Sequence, residues 1–221
     1  MKGSVASRRT NERRLEPLGA AHTWDEQYTL RPLWWKGPYD IAPIMQHINP
    51  GAAVLDVGCG TGRYLVPLDR AGFAVVGIDL SQTALRLLAP HLVRIVADMQ
   101  KLPLVDQSFD ALTCYGVLQH LREEERANAV IELFRVLKYG GMAFVEVVGV
   151  HDMRYGSGVQ EEEGTFTRQG IRCHYFSSLE LSQLFITSGF TVLELKNRLA
   201  KKCYRGVERT RHRISLISQR L

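Results

Sequence analysis

The sequence predicts an α/β fold: a doubly wound, mostly parallel seven-stranded sheet with an antiparallel C-terminal hairpin. Three observations carry this. Short apolar runs alternate with helix-period segments from residue 53 to 148. Glycines crowd the junction between the first strand and the first helix of that series. The last two strands are joined by a connection too short for a parallel crossover, so they must form a hairpin.

Taken in order, residues 1–22 are polar and Arg-rich without a sustained period, a basic N-terminal arm ahead of one domain spanning 23–221. An aromatic stretch follows, with Trp24, Tyr28, Trp34, Trp35 and Tyr39 broken by Pro32 and Pro38. Residues 53–57 read as a buried strand running into glycines, 62–71 as a helix, and 74–79 as a second strand. Ser81 caps a helix expected to reach about residue 91. Strands follow at 93–96 and 109–115. A helix at 122–137 shows apolar positions Val130, Leu133, Phe134 and Leu137, and Gly140-Gly141 are expected to end it. Residues 142–148 are the fifth strand. The rhythm then breaks, and 150–177 read as an insertion forming a lid on the acceptor side. Ser178 opens a helix that Gly189 closes, and strands at 190–199 and 207–218 complete the sheet.

Composition bounds the chemistry. The 221 residues are 45% hydrophobic and 23% charged, the profile of a globular protein with one sizeable core. No apolar run approaches the roughly 18 residues of a membrane span, and the N-terminus lacks a signal-peptide core, so neither membrane insertion nor secretion is expected. Cys59, Cys114, Cys173 and Cys203 stand far apart with no C-x-x-C pair. No disulfide framework or zinc site is signalled, and a cytoplasmic location is the expectation. The formal charge of +5 is unevenly spread: residues 196–221 hold nine Lys and Arg against Glu208 alone, the N-terminal arm is also basic, and the body between is acidic. Such asymmetry points to an anionic partner.

The strongest motif is Val54-Leu55-Asp56-Val57-Gly58-Cys59-Gly60-Thr61-Gly62. Glycines between strand and helix let the backbone approach a ligand closely. A dinucleotide fingerprint would need glycine where Arg63 stands, and Asp56 would repel a pyrophosphate but attract an ammonium. Asp79, ending the second strand, is placed to accept both hydroxyls of a ribose. Asp98, beside the N–H of Met99, is placed to read an adenine. An amine, a ribose and an adenine on three successive strand ends describe S-adenosylmethionine.

The segments VLDVGCGTGRYL, VVGIDLS, ADMQKLPLVDQSFD and ELFRVLKYGGMAFVEV resemble the class I S-adenosylmethionine-dependent methyltransferases, in the methyltransferase type 11 branch. The resemblance implies that Asp56 sits near the methionine ammonium. It sets Gly58, Gly60 and Gly62, with Cys59 among them, against the methionyl and ribose parts. It gives Asp79 the ribose, Leu80, Asp98 and Met99 the adenine, and Tyr115 a position beside the transferable methyl. The 24–39 stretch, including Trp35, looks like the N-terminal cover of these enzymes, with a plain core role for Trp34 and Trp35 as the alternative. The cofactor implied is S-adenosyl-L-methionine, giving S-adenosyl-L-homocysteine; no metal is expected.

Methyl transfer from a sulfonium needs alignment and exclusion of water more than covalent catalysis. His120, just beyond Tyr115, is the candidate base, the alternative being an ordinary capping or surface histidine. Glu161-Glu162-Glu163 read as a solvated loop tip. The hairpin turn falls at the active-site edge, which puts Lys201, Lys202 and Arg205 on the rim. Arg209, Arg211 and Arg213 alternate along one strand face, either as a solvated edge or as an anion-attracting one. The expected acceptor is a small, metabolite-like molecule, anionic if it uses these cations; the alternative is tRNA or another RNA. No [D/N]-P-P-[Y/F] element ends strand four, where Thr113-Cys114-Tyr115-Gly116 stand instead, which weighs against methylation of base amino groups.

Overall fold

The computed structural model describes residues 20–31, 39–204 and 206–221. Expectations for the N-terminal arm up to residue 19, for Trp34 and Trp35, and for Arg205 lie outside these. Strands β1 (Ala53–Val57), β2 (Ala74–Asp79), β3 (Val93–Val96), β4 (Phe109–Tyr115) and β5 (Leu137–Val148) are mutually parallel, in the order β3-β2-β1-β4-β5. The insertion contributes β6 (Val159–Glu162), β7 (Thr165–Arg168) and β8 (Ile171–His174). The C-terminal strands β9 (Phe190–Tyr204) and β10 (Val207–Arg220) extend the main sheet, β10 antiparallel to both β5 and β9. The seven-stranded, doubly wound sheet is therefore present with its antiparallel hairpin.

Alternation along the strands sends side chains to two helical layers. Leu55, Val57, Leu112, Cys114 and Val145 pack with Val130 and Leu133 of α5 (Glu123–Val136) and with Leu181 and Phe185 of α6 (Ser178–Thr187). On the opposite face Val54, Ala111 and Phe144 meet Ile44 of α2 (Ala42–Met45) and Leu68 of α3 (Leu65–Arg70). No helix among the described residues is long and apolar enough to cross a membrane.

Several boundaries differ from the sequence reading. Helix α3 begins at Leu65, three residues late, because the glycine loop keeps turning through Tyr64. Helix α4 (Gln82–Arg86), capped by the Ser81 hydroxyl on the Ala84 N–H, stops short because Pro90 disfavours helical backbone before it. Helix α5 passes directly into β5, so Gly140 and Gly141 lie inside the strand. There the β4–β5 register shifts, and a side chain on Gly141 would press on the Lys138 and Asp110 carbonyls. The cap of α6 is Ser177, reciprocally bonded with Glu180. The insertion is not a bare polar loop: β6, β7 and β8 form a small antiparallel sheet. Phe166 and Tyr175 bury against Val148 beneath it, and Glu161, expected at a solvated tip, instead ties Thr167 and Arg172 together.

Candidate active site

A cavity of about 210 Å³ opens at the C-terminal ends of the parallel strands, where such sheets bind ligands. Its floor is the loop after β1. Gly58, Gly60 and Gly62 all have positive φ, between 52° and 86°, a region glycine enters without steric cost. A Cβ on Gly58 would collide with Val117, and one on Gly60 would lie 2.6 Å from the Tyr28 hydroxyl. Gly62 differs from its expected role. It is not among the residues lining the cavity and packs instead against Val66 of α3 and Leu88 just beyond α4, where its lack of a side chain lets the two segments close on the loop.

Asp56 lies at this floor, 3% exposed. Its Oδ1 accepts from the Thr113 hydroxyl at 2.7 Å, while Oδ2 is buried without a hydrogen-bond partner. Burial pushes its pKa up to about 7, against the Thr113 hydroxyl and Leu65 N–H that favour the charged form. Asp79 accepts from the Gly60 and Ser81 N–H groups, each at 2.8 Å, which leaves lone pairs on both oxygens. Asp98 lines the cavity and closes a turn through the Gln100 N–H at 2.9 Å. Cys59, Leu80 and the buried Met99 complete this wall. Trp35 lies outside the described residues.

Helix α1 (Ala20–Leu30) covers the cavity with Ala20, Trp24 and Tyr28. It is fastened by Asp25, whose Oδ1 accepts from the Ser81 hydroxyl (2.6 Å) and the Thr83 N–H (2.8 Å) at the start of α4. Sequence reasoning missed this anchor, because an Asp in a helix interior carries no local sign of a partner 56 residues away.

The far end is aromatic and charged. Tyr115 stacks on Tyr64 at 4.1 Å between centroids, and Tyr64 on Tyr39 at 4.4 Å. The Arg63 guanidinium covers Tyr39 at 3.7 Å. Burial raises the pKa of all three tyrosines, which keeps them neutral. His120 ends a short 3-10 turn (Leu118–His120), with Nδ1 2.6 Å from the Arg172 carbonyl of β8. A carbonyl only accepts, so Nδ1 carries the proton and Nε2 a lone pair, 3.4 Å from the Gln119 amide nitrogen. Burial presses its pKa down to about 4. Trp24 meets its ring edge-on at 4.8 Å.

Glu146 and Arg213 also line this end, with Arg213 Nε 3.4 Å from the carboxylate and Arg213 Nη1 buried without a partner. The sequence did carry a signal for Glu146: it is the one acid in the apolar run of β5. Tyr64 carried none. Lys201 and Lys202, expected on the rim, are not lining residues, since the hairpin runs well past the sheet edge before turning. Lys201 pairs with Glu208 at 2.8 Å, and among the described residues Arg213 is the hairpin cation that reaches the cavity. Among the described residues no cluster is arranged to hold a metal.

Comparison with known proteins agrees with this geometry. Residues 55–145 match a family model described as a methyltransferase domain. The chain is 29% identical over 188 residues to a tRNA N(3)-cytidine methyltransferase of Danio rerio, covering 75% of this chain and 53% of that protein. It is 32% identical over 132 residues to the ubiquinone biosynthesis O-methyltransferase of Alkalilimnicola ehrlichii, covering 55% and 53% respectively. The chain thus spans about half the length of these curated relatives. The crystal structure of a SAM-dependent methyltransferase from Methanosarcina mazei superposes with a TM-score of 0.72 at 26% identity, covering 84% of this chain and 99% of that one. By fold, motif and likeness, residues 55–145 are a methyltransferase domain of the class I S-adenosylmethionine-dependent kind.

Proposed function

We propose that the chain transfers a methyl group from S-adenosylmethionine to a nucleophilic heteroatom of an acceptor admitted at the Tyr115–Glu146–Arg213 end of the cavity. The observation that carries this is Asp56 Oδ2, a buried carboxylate oxygen without a partner at a glycine floor. Such a group calls for a cation, and an ammonium fits where a phosphate would be repelled. Asp56 would hold the ammonium, Asp79 the ribose hydroxyls, and Asp98, Met99 and Leu80 the adenine. When bound, the cofactor supplies a methyl group whose bond to a sulfonium sulfur breaks as the acceptor heteroatom bonds to it.

The chain's own work is alignment. Tyr115, braced by Tyr64 and Tyr39, forms a flat wall beside the reacting centre, and α1 excludes water from above. His120, expected as the base, is neutral and too weakly basic at a pKa of about 4 to hold a proton at neutral pH. Its Nε2 lone pair, met by the Gln119 amide only at a long 3.4 Å, would serve better as a fixed hydrogen-bond acceptor that orients the acceptor's O–H or N–H once that contact gives way. Glu146 is the better proton acceptor, since burial raises its pKa while Arg213 favours its charged form.

For the acceptor, the Tyr115–Glu146–Arg213 end of a cavity that must also take the cofactor supports a small, metabolite-like molecule or a single projecting group of a larger one. One observation favours the second, an RNA: the basic hairpin leads into the cavity at Arg213. The test is an incubation with radiolabelled cofactor against separate metabolite, RNA and protein fractions of a cell extract. Label entering the metabolite fraction supports the small acceptor, label in RNA the second reading, and label in neither, with no cofactor binding by calorimetry, overturns the proposal.

A further inference from the structure

The β9–β10 hairpin continues past the end of β5, where the insertion follows β10 only as far as Thr210, the Gly149 N–H donating to the His212 carbonyl (3.1 Å) and the Met153 N–H to the Thr210 carbonyl (2.8 Å). Arg213 pairs with Val148, the last residue of β5. Six further pairs, from His212↔Leu199 to Val207↔Tyr204, overhang the sheet edge by about 20 Å. The ribbon is braced at its base by Asp152, which receives the Arg211 guanidinium at 2.7 Å and the His212 N–H at 3.1 Å.

Directly opposed residues of an antiparallel pair share a face, and successive residues alternate between faces. The register Lys202↔Arg209, Ala200↔Arg211, Arg198↔Arg213 and Lys196↔Ser215 therefore gathers Lys196, Arg198, Lys202, Arg209, Arg211 and Arg213 on one face. Tyr204 shares it, near the tip. The opposite face holds Asn197, Leu199, Lys201 and Cys203 opposite Ile214, His212, Thr210 and Glu208, and its one described cation, Lys201, is paired with Glu208. A ribbon charged only for solubility has no reason to sort its cations this way. Three members of the basic face are neutralised: Lys196 by Glu194, Arg211 by Asp152 and Arg213 by Glu146. Arg198, Lys202 and Arg209 are exposed and make no ion pair among the described residues.

We infer that this face is a docking track for the phosphate backbone of a single-stranded or looped RNA, which would present one unstacked nucleotide to the cavity at Arg213. Along β10 the cations Arg209, Arg211 and Arg213 recur at every second residue, about 6.8 Å apart, while β9 places Lys196, Arg198 and Lys202 beside them with Ala200 as the gap. The β10 spacing is comparable with the separation of neighbouring phosphates in an extended strand. Tyr204 offers a ring on which a base can stack. Single-stranded or looped RNA is favoured over duplex because its bases are already splayed and can enter the cavity without unpairing. The inference rests on the methyltransferase reading only for what happens at the cavity; the track itself stands on the register and charge of the ribbon.

The test is fluorescence anisotropy with a labelled single-stranded RNA, a DNA of the same sequence, and phosphatidylserine-containing vesicles, alongside calorimetry with S-adenosylhomocysteine. The wild type should bind RNA with an affinity that falls linearly in log–log form between about 50 and 200 mM salt. The triple variant Arg198→Gln/Lys202→Gln/Arg209→Gln should lose about tenfold or more in affinity at the low-salt end and flatten the slope by about 2. Lys201→Gln, on the opposite face, should change affinity less than twofold, a factor of about 0.4 kcal/mol. Unchanged S-adenosylhomocysteine binding in all variants shows that they fold. Absence of salt-dependent RNA binding, equal effects of the two variants, or preference for DNA or vesicles would each overturn the inference. RNA binding without any binding of S-adenosylhomocysteine would leave the track standing and sink the methyltransferase reading instead.

Discussion

Asp56, the residue proposed to hold the ammonium, shows how a buried acid kept for a ligand lowers the stability of the ligand-free protein. With its pKa raised from 3.8 to about 7, the folded state holds a proton that the unfolded chain has already released in that interval. Its contribution to stability therefore declines as pH rises through the same window. Asp56→Asn removes that decline, so the ligand-free variant should be the more stable one above pH 7, by on the order of 2 kcal/mol in denaturant titrations. The same change removes the charge that faces the ammonium, and calorimetry should register a loss of about 10- to 100-fold in cofactor affinity. A variant that binds as tightly as the wild type would contradict the role given to Asp56. His120 has the opposite sign. Its pKa falls from 6.5 to about 4, so the unfolded chain takes up a proton that the fold refuses, and stability is lost as pH falls through that interval. In an NMR titration its ring resonances should stay flat between about pH 5 and 8. A midpoint inside that range would restore the case for His120 as a base.

At the scale of elements, the end of the cavity proposed for the cofactor is held by strand ends, and the end proposed for the acceptor by additions to the sheet. Helix α1 depends on Asp25 for its hold on α4, through the Ser81 hydroxyl that also caps that helix. Asp25→Ala should cost about 1 kcal/mol of stability, as loss of a capping contact does. Because α1 carries Trp24 and Tyr28 onto the cavity, the larger effect should be on ligand exchange. Stopped-flow binding of S-adenosylhomocysteine should show faster release with little change in entry. Equal release rates would mean that α1 does not cover the ligand. The insertion works in a comparable way, since the Arg172 carbonyl in β8 fixes the tautomer of His120 from 52 residues away.

Across the whole molecule, burial sorts the four thiols. Cys59 and Cys114 lie in the interior, with burial driving the Cys114 pKa up to about 12, whereas Cys203 is exposed on the hairpin. A thiol reagent should modify Cys203 at once and reach Cys59 and Cys114 only at the rate of global opening. Fast modification of either buried thiol would show that the sheet opens locally. The parallel strands were legible because each is a short apolar run bounded by turn residues, and the bounds read for 53–57, 74–79, 93–96 and 109–115 agree with β1 to β4. Helix ends were less so: where α4 stops depends on Pro90, and α5 yields to β5 because Leu137 pairs with Phe109, a contact that no local pattern announces. The insertion's strands escaped notice because four-residue segments such as Val159–Glu162 show no alternation and exist by pairing with one another. The sequence by itself determined the end of the cavity proposed for the cofactor, since a glycine loop and acids at successive strand ends are local features that the chain must spell out residue by residue. Tertiary structure alone decided the end proposed for the acceptor. Glu146, Tyr64 and Arg213 come from different elements, and which cations share the hairpin face depends on the cross-strand register, which no single segment contains.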